Sequence, residues 1–288
     1  MKKTLLTVVS LVLCLALLAP AVFAFSDEKP NYLVLGDSIA FGSGLTNPRE
    51  AVYGKIVADT NGYEYENYAV PGHTTGNLMK RIEKEEISAS VAAADIISIS
   101  IGGNNFLLGN VGAILYDGIV KNDFSRIEEI ATGFRTDLDE IVKMIRSLNP
   151  DAAILLQTIY NPQTGAVGEV YAKGAELLNT VIKDYALANP DSLYVVDVAA
   201  CLTDSERDFA EDGIHPSAEG NEKIAAAVLE TLYENGLGSG TQPVINTKGR
   251  DLKGTGMMSF SLKAYTFFLR VIASVRGFFL QAFSFVRI

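Results

Sequence analysis

Tryptophan is absent from the 288 residues, and cysteine and histidine occur only twice each. Cysteines at positions 14 and 201 cannot build a disulfide framework, so stability has to come from packing. No His, Cys, Asp and Glu residues fall at metal-ligand spacing, and neither a metal nor another cofactor is expected. Scarce histidine also confines the search for a general base to His73 and His215. Positive charge is thin through the middle of the chain. Between the two leading lysines and Lys248 there are fifteen Lys and Arg against 33 Asp and Glu, a net −18. Such a domain repels phosphate backbones, which argues against nucleic acid as a partner. Apolar runs are also short: neither Leu5 to Leu18 nor Gly277 to Val286 is long enough to span a bilayer.

The two ends read differently from the middle. Met1-Lys2-Lys3, the run from Leu5 to Leu18 and Ala-Pro-Ala-Val-Phe-Ala follow the order of a secretory signal peptide over residues 1–24, with cleavage after Ala24. Export to the cell envelope or medium is therefore expected, a retained N-terminal anchor being the alternative. Without the leader only Cys201 remains, and it reads as a packing thiol. Residues 236–258 form a Gly-rich polar linker, and residues 259–288 read as a basic amphipathic helix. From Lys248 onward the chain carries seven basic residues against one acidic, a net +6, and half of its fourteen phenylalanines. On a helix, Phe267, Phe268, Val271, Phe278, Phe279 and Phe283 share one face, and Lys263, Arg270, Arg276 and Arg287 share the other. That pattern suits a membrane interface. Packing on the domain or on a second copy of the helix is the alternative.

Residues 25–235 are long enough for one domain. Apolar runs at Tyr32–Leu35, Glu64–Val70, Ile96–Ile101, Ala153–Thr158 and Tyr194–Val198 alternate with helical patterns. The helices are expected at Tyr53–Asn61, Thr75–Ile87, Phe124–Leu148, Val167–Ala188 and Ser217–Asn235. Largely continuous apolar strands alternating with helices imply a five-stranded parallel sheet in a three-layer α/β/α sandwich. Ligands then bind at the carboxyl ends of the strands.

Ser38, in Gly36-Asp37-Ser38, sits where the first of those strands should end, a suitable place for a nucleophile. Asp37 is placed to cap the following helix. His215 lies in Asp212-Gly213-Ile214-His215, and a carboxylate three residues earlier on a tight turn can reach the imidazole Nδ1. Gly72 and Asn104, after the second and third strands, could donate hydrogen bonds to an oxyanion. Taken singly, each of these residues also suits an ordinary turn or cap.

Together they resemble the SGNH/GDSL hydrolase family, in four blocks: Gly-Asp-Ser at Ser38, Gly72, Gly-Gly-Asn-Asn at Asn104, and Asp-Gly-Ile-His at His215. The resemblance runs from Asn31 to about Asn235 and implies a flavodoxin-like sandwich. It also implies a serine ester hydrolase, close to the lysophospholipase-L1-like branch, that works through an acyl-enzyme. By that likeness Ser38 is the nucleophile, His215 the base and Asp212 its partner. The N–H groups of Ser38 and Gly72 and the Asn104 amide would form the oxyanion hole, with His73 a possible substrate contact. The family's third block usually ends in Asp, where this chain has Asn105. Ser43 and Cys201 are rival nucleophiles that the resemblance does not use. The expected substrate is a small ester or acyl lipid, with a carbohydrate O-acetyl ester as the alternative. An inactive membrane-associated binding protein of the same fold is the other reading.

Overall fold

The computed structural model of the protein describes residues 29–245. The expected leader (1–24), the expected basic helix (259–288) and the part of the expected linker beyond residue 245 lie outside the described residues.

The chain begins with β1 (Asn31–Gly36), the short helices α1 (Ser38–Phe41) and α2 (Pro48–Ala51), then α3 (Tyr53–Asn61) and β2 (Glu64–Asn67). Helices α4 (Thr75–Ile82) and α5 (Glu85–Ala93) lead to β3 (Ile96–Ser100). After it come α6 (Gly103–Leu107) and α7 (Val111–Tyr116), which runs into a π turn at Asp117–Lys121. The long α8 (Ser125–Leu148), β4 (Ala153–Gln157), α9 (Gly165–Ala188) and β5 (Leu193–Val196) come next, then α10 (Val198–Cys201) and α11 (Ala218–Glu234). All five strands pair in parallel, in the order β2-β1-β3-β4-β5.

Successive strand side chains point to opposite faces, and both faces are covered. Leu33, Leu35, Ile97, Ile99, Ile154 and Leu156 pack under α4, α5, α8 and α9. Tyr32, Val34, Ile96, Ala153, Leu155 and Val196 pack under α3 and α11. Burial on both sides is why the central strands read as unbroken apolar runs. The sheet order reverses between β1 and β3, which makes the carboxyl ends of those two strands the crevice in which such sheets hold ligands.

Besides short helices that were not expected, three differences from the sequence reading have a clear physical cause. The helix expected over Thr75–Ile87 is two helices, broken at Lys84, whose backbone is extended. Ile82 and Ile87 both face the core, and five residues on one straight helix would turn them to different sides. Strand β2 ends at Asn67 instead of Val70: Asn67 Oδ1 accepts from the Ala69 N–H and its amide donates to the Ala40 carbonyl, while the Tyr68 and Val70 N–H groups still donate to Val34 O and Gly36 O of β1. The start of the expected linker is packed. Asn61 Oδ1 accepts from the N–H groups of Ser239 and Gly240, and Thr60 Oγ1 accepts from that of Val244. A Cβ on Gly238 would stand 2.7 Å from Tyr63 Oη, and one on Gly240 would stand 2.7 Å from Thr60 Cγ2. These glycines allow close approach to the end of α3, so the packed domain extends past Asn235.

Candidate active site

Ser38 owes its position to the two residues before it. Gly36 has φ +137°, and a Cβ there would lie 2.0 Å from the Ser100 carbonyl oxygen. Without that side chain the turn closes onto β3, and the Asp37 N–H donates to Ser100 O at 3.0 Å. The Asp37 carboxylate accepts from the Ile39 N–H at 3.0 Å, which starts α1 and makes Ser38 its first residue.

His215 stands on a loop beyond β5 and α10, which is held by a bridge between Phe209 and Pro216 and by the Tyr160 hydroxyl donating to Ile214 O at 2.7 Å. Within it Gly213 takes φ +65°, so the turn folds back on Asp212. Asp212 Oδ1 accepts from the N–H groups of Ile214 and His215, both at 2.9 Å, and Oδ2 lies 2.6 Å from His215 Nδ1. Burial alone would raise the Asp212 carboxyl. The hydrogen bond and charge of His215 and the two backbone donors outweigh it and hold the group below the usual carboxylate range. An ionised partner at Nδ1 keeps the proton on that nitrogen and leaves Nε2 free to accept one. The backbone at Gly44 also packs closely against His215: a Cβ there would come 2.9 Å from His215 Cβ.

Asn104 projects from α6, just past β3, and its Nδ2 donates to the His73 carbonyl at 2.9 Å. That bond ties the loop of Gly72, itself at φ +81°, to the end of β3. Asn105 makes a second tie to the same loop, through Thr75.

Ser38, Asn104 and His215 line one cavity of about 130 Å³ at the carboxyl ends of β1, β3 and β4. Its wall is mainly apolar and includes Ile101, Phe106 and Leu107 together with Tyr171, Ala175 and Leu178 of α9. Asp37 also reaches it, and burial pushes its carboxyl up to about 7, partly offset by the Ile39 N–H and the charge of His215. Gly72 and His73 are not among the lining residues. Burial, with Arg81 and Lys84, lowers the His73 pKa, and its Nδ1 has no hydrogen-bond partner among the described residues. Ser43 and Cys201 also lie off the cavity. Burial, assisted by the charge of Asp208, pushes the Cys201 thiol up to about 11, which keeps it protonated.

Sequence reasoning did not single out the cavity wall or the seat at Gly44. Tyr171, Ala175 and Leu178 show the spacing of any buried helix face, so nothing in the sequence separates a wall from a core. Gly-Ser-Gly at residues 42–44 was the available sign of a close approach. Among the described residues no group of three or more His, Cys, Asp or Glu could hold a metal ion, and no helix is long and apolar enough to cross a membrane.

A parallel α/β/α sandwich whose serine, asparagine and Asp–His pair meet at the switch point of the sheet has the architecture of the SGNH hydrolases. Residues 34–223 match the GDSL-like Lipase/Acylhydrolase family, and the chain belongs to that family. The uncharacterized protein YpmR of Bacillus subtilis (strain 168) is 25% identical over 233 residues, 74% of this chain and 87% of that protein. Among solved structures, the lipase Lip_vut3 from a goat rumen metagenome superposes with a TM-score of 0.58 at 20% identity, covering 73% of this chain and 99% of that one. Phospholipase A1 from Streptomyces albidoflavus NA297 gives 0.56 at 18% identity, over 70% and 99%. Both likenesses are likenesses of fold.

Proposed function

We propose that this chain is a serine ester hydrolase that cleaves acyl esters through an acyl-enzyme. The observation that carries the reading is a single apolar cavity lined by Ser38, Asn104 and a histidine whose Nδ1 is held by a largely buried carboxylate. In the forward step His215 Nε2 takes the Ser38 proton and Ser38 Oγ attacks the ester carbonyl. The negative charge on the carbonyl oxygen is met by the N–H of Ser38 and by the Asn104 amide proton not given to His73, and the N–H of Gly72, on the loop that Asn104 ties beside the cavity, is assigned as the third donor. Collapse expels the alcohol, which His215 protonates, and water activated by the same imidazole then releases the acid. Asp212 stabilises the imidazolium in both steps.

The acyl group is assigned to the apolar wall. An engineered cavity of about 150 Å³ holds a benzene molecule, so a cavity of about 130 Å³ seats an acyl chain of roughly six carbons. An acetyl group would leave most of it empty, which favours an acyl-lipid ester over a carbohydrate O-acetyl ester. The leader and the basic, phenylalanine-rich tail support action outside the cytoplasm at a lipid surface, and what supports that part is the sequence alone.

The test is hydrolysis of a p-nitrophenyl ester series by the parent and by Ser38→Ala, together with labelling by a fluorophosphonate. Loss of turnover by at least about a thousandfold, with labelling confined to Ser38, is expected. Near-parental turnover by Ser38→Ala, or labelling elsewhere, overturns the reading.

A further inference from the structure

The two asparagines after β3 divide the work of holding the Gly72 loop, and the second has a hydrogen-bond polarity that can be read without ambiguity. The Thr75 N–H, a group that can only donate, lies 3.1 Å from one terminal atom of the Asn105 side chain, which must therefore be Oδ1. The other terminal atom is then Nδ2, and it donates to Thr75 Oγ1 at 2.6 Å. The Thr75 hydroxyl, fully buried, has spent a lone pair on Asn105 and must send its proton elsewhere. It donates to Asp137 Oδ2 of α8. Protons thus run in one direction, from Asn105 to Thr75 to Asp137. Thr75 opens α4, two residues after the His73 carbonyl that Asn104 holds.

We propose that Asn105, Thr75 and Asp137 form a positioning relay that fixes the Gly72–His73 loop against Asn104, and that Asn105 and Asp137 are matched to each other. The proposal rests on the assignment of Gly72 and Asn104 to the oxyanion hole. The match comes from counting protons. With an aspartate at 105, the residue usual in the family's third block, one Thr75 hydroxyl proton would face two carboxylates, and one of them would meet only a lone pair. In this chain the acid stands at 137 and the amide at 105. The reverse arrangement, Asn105→Asp together with Asp137→Asn, satisfies the same three groups: the carboxylate at 105 accepts both the N–H and the hydroxyl of Thr75, and the amide at 137 donates to Thr75 Oγ1.

The consequence is a non-additive cycle. Asn105→Asp is expected to lower kcat for a short p-nitrophenyl ester roughly ten- to a hundredfold, because donors displaced from a developing oxyanion are lost from the transition state. KM should change much less, since the apolar wall is untouched. Asp137→Asn costs less than about threefold, because its Oδ1 can still accept from Thr75. Asn105→Asp combined with Asp137→Asn is expected to recover most of the lost kcat, which a merely structural defect at 105 would not allow. If the double variant is no faster than Asn105→Asp, or if Asn105→Asp matches the parent, the relay is overturned. Should Asn105→Asp fail to fold, Thr75→Val and Thr75→Ser ask the same question: the relay requires serine to keep kcat and valine to lose it, and equal rates overturn it. Ser38→Ala run alongside separates the two layers. An active Ser38→Ala sinks the assignment of the site, whereas an inactive one with an additive cycle sinks only the relay.

Discussion

At Asp37 the architecture sets burial against charge. The residue must be buried to turn β1 into α1, yet its backbone donors, chiefly the Ile39 N–H, do not compensate the lost water, and its carboxyl rises to about 7. An ordinary aspartate titrates at about 3.9. Because the folded-state value lies above the unfolded one, the contribution to stability is complete below about pH 4 and is lost as pH rises through about 7. Asp37→Asn keeps an oxygen for the Ile39 N–H and removes the titration. The melting temperature of the variant should therefore gain on that of the parent between about pH 4 and pH 8, as tracked by thermal melts in a pH series. Parallel curves would show that Asp37 does not titrate in this window. The charge of His215 lowers the Asp37 carboxyl, so the imidazolium formed when Ser38 gives up its proton faces Asp212 in contact and Asp37 through space.

Helices α6 and α9 set what the cavity accepts. Phe106 stands edge-on to Tyr171, with ring centroids 5.0 Å apart, and a Cβ on Gly174 would press its ring at 3.1 Å. Small residues on this turn of α9 therefore leave the room that the aromatic pair bounds. Ala175→Phe should fill it, cutting kcat/KM for a hexanoyl or longer ester by roughly tenfold or more while sparing the acetyl ester, since filling a pocket of this kind changes discrimination by about 1–3 kcal/mol. A uniform loss across the p-nitrophenyl series would place the acyl group elsewhere. The same elements mark the limit of what the sequence shows. The central strands and the long α8, α9 and α11 were legible because burial on two faces, or on one stripe, repeats over many residues. The short α6, α7 and the π turn were not, because their form depends on contacts with α8 and α9, such as the ion pair of Asp117 with Arg126 of α8. Ser38, Asn104, Asp212 and His215 were legible as candidates at expected strand ends and turns, and the fold brings Ser38, Asn104 and His215 to one cavity with Asp212 at the His215 ring. That His215 would be seated by Gly44, far away in sequence, could be seen only after folding.

At the scale of the whole molecule, charge sets the domain apart from the tail. The described domain is strongly acidic, and the residues from Lys248 onward carry +6 and seven phenylalanines. An acidic body is repelled by an anionic bilayer, so any attraction has to come from the tail. The place to divide the two is after Ile245 and not after Asn235, because residues 237–244 are hydrogen-bonded to Asn61, Tyr63 and Thr60. A cut at 235 would strip the end of α3 and confuse loss of the tail with damage to the domain. Chains spanning residues 25–288 and 25–245 should therefore differ when sedimented with phosphatidylserine-containing vesicles. The longer one is expected to bind, and to release as salt rises from low to physiological strength and beyond, as an arginine-driven contact must. The shorter one should stay in solution while hydrolysing a soluble short-chain ester at the same rate. Equal sedimentation of the two chains would remove the tail from any lipid role, and salt-independent binding of the longer chain would mean that its phenylalanine face acts without its charge.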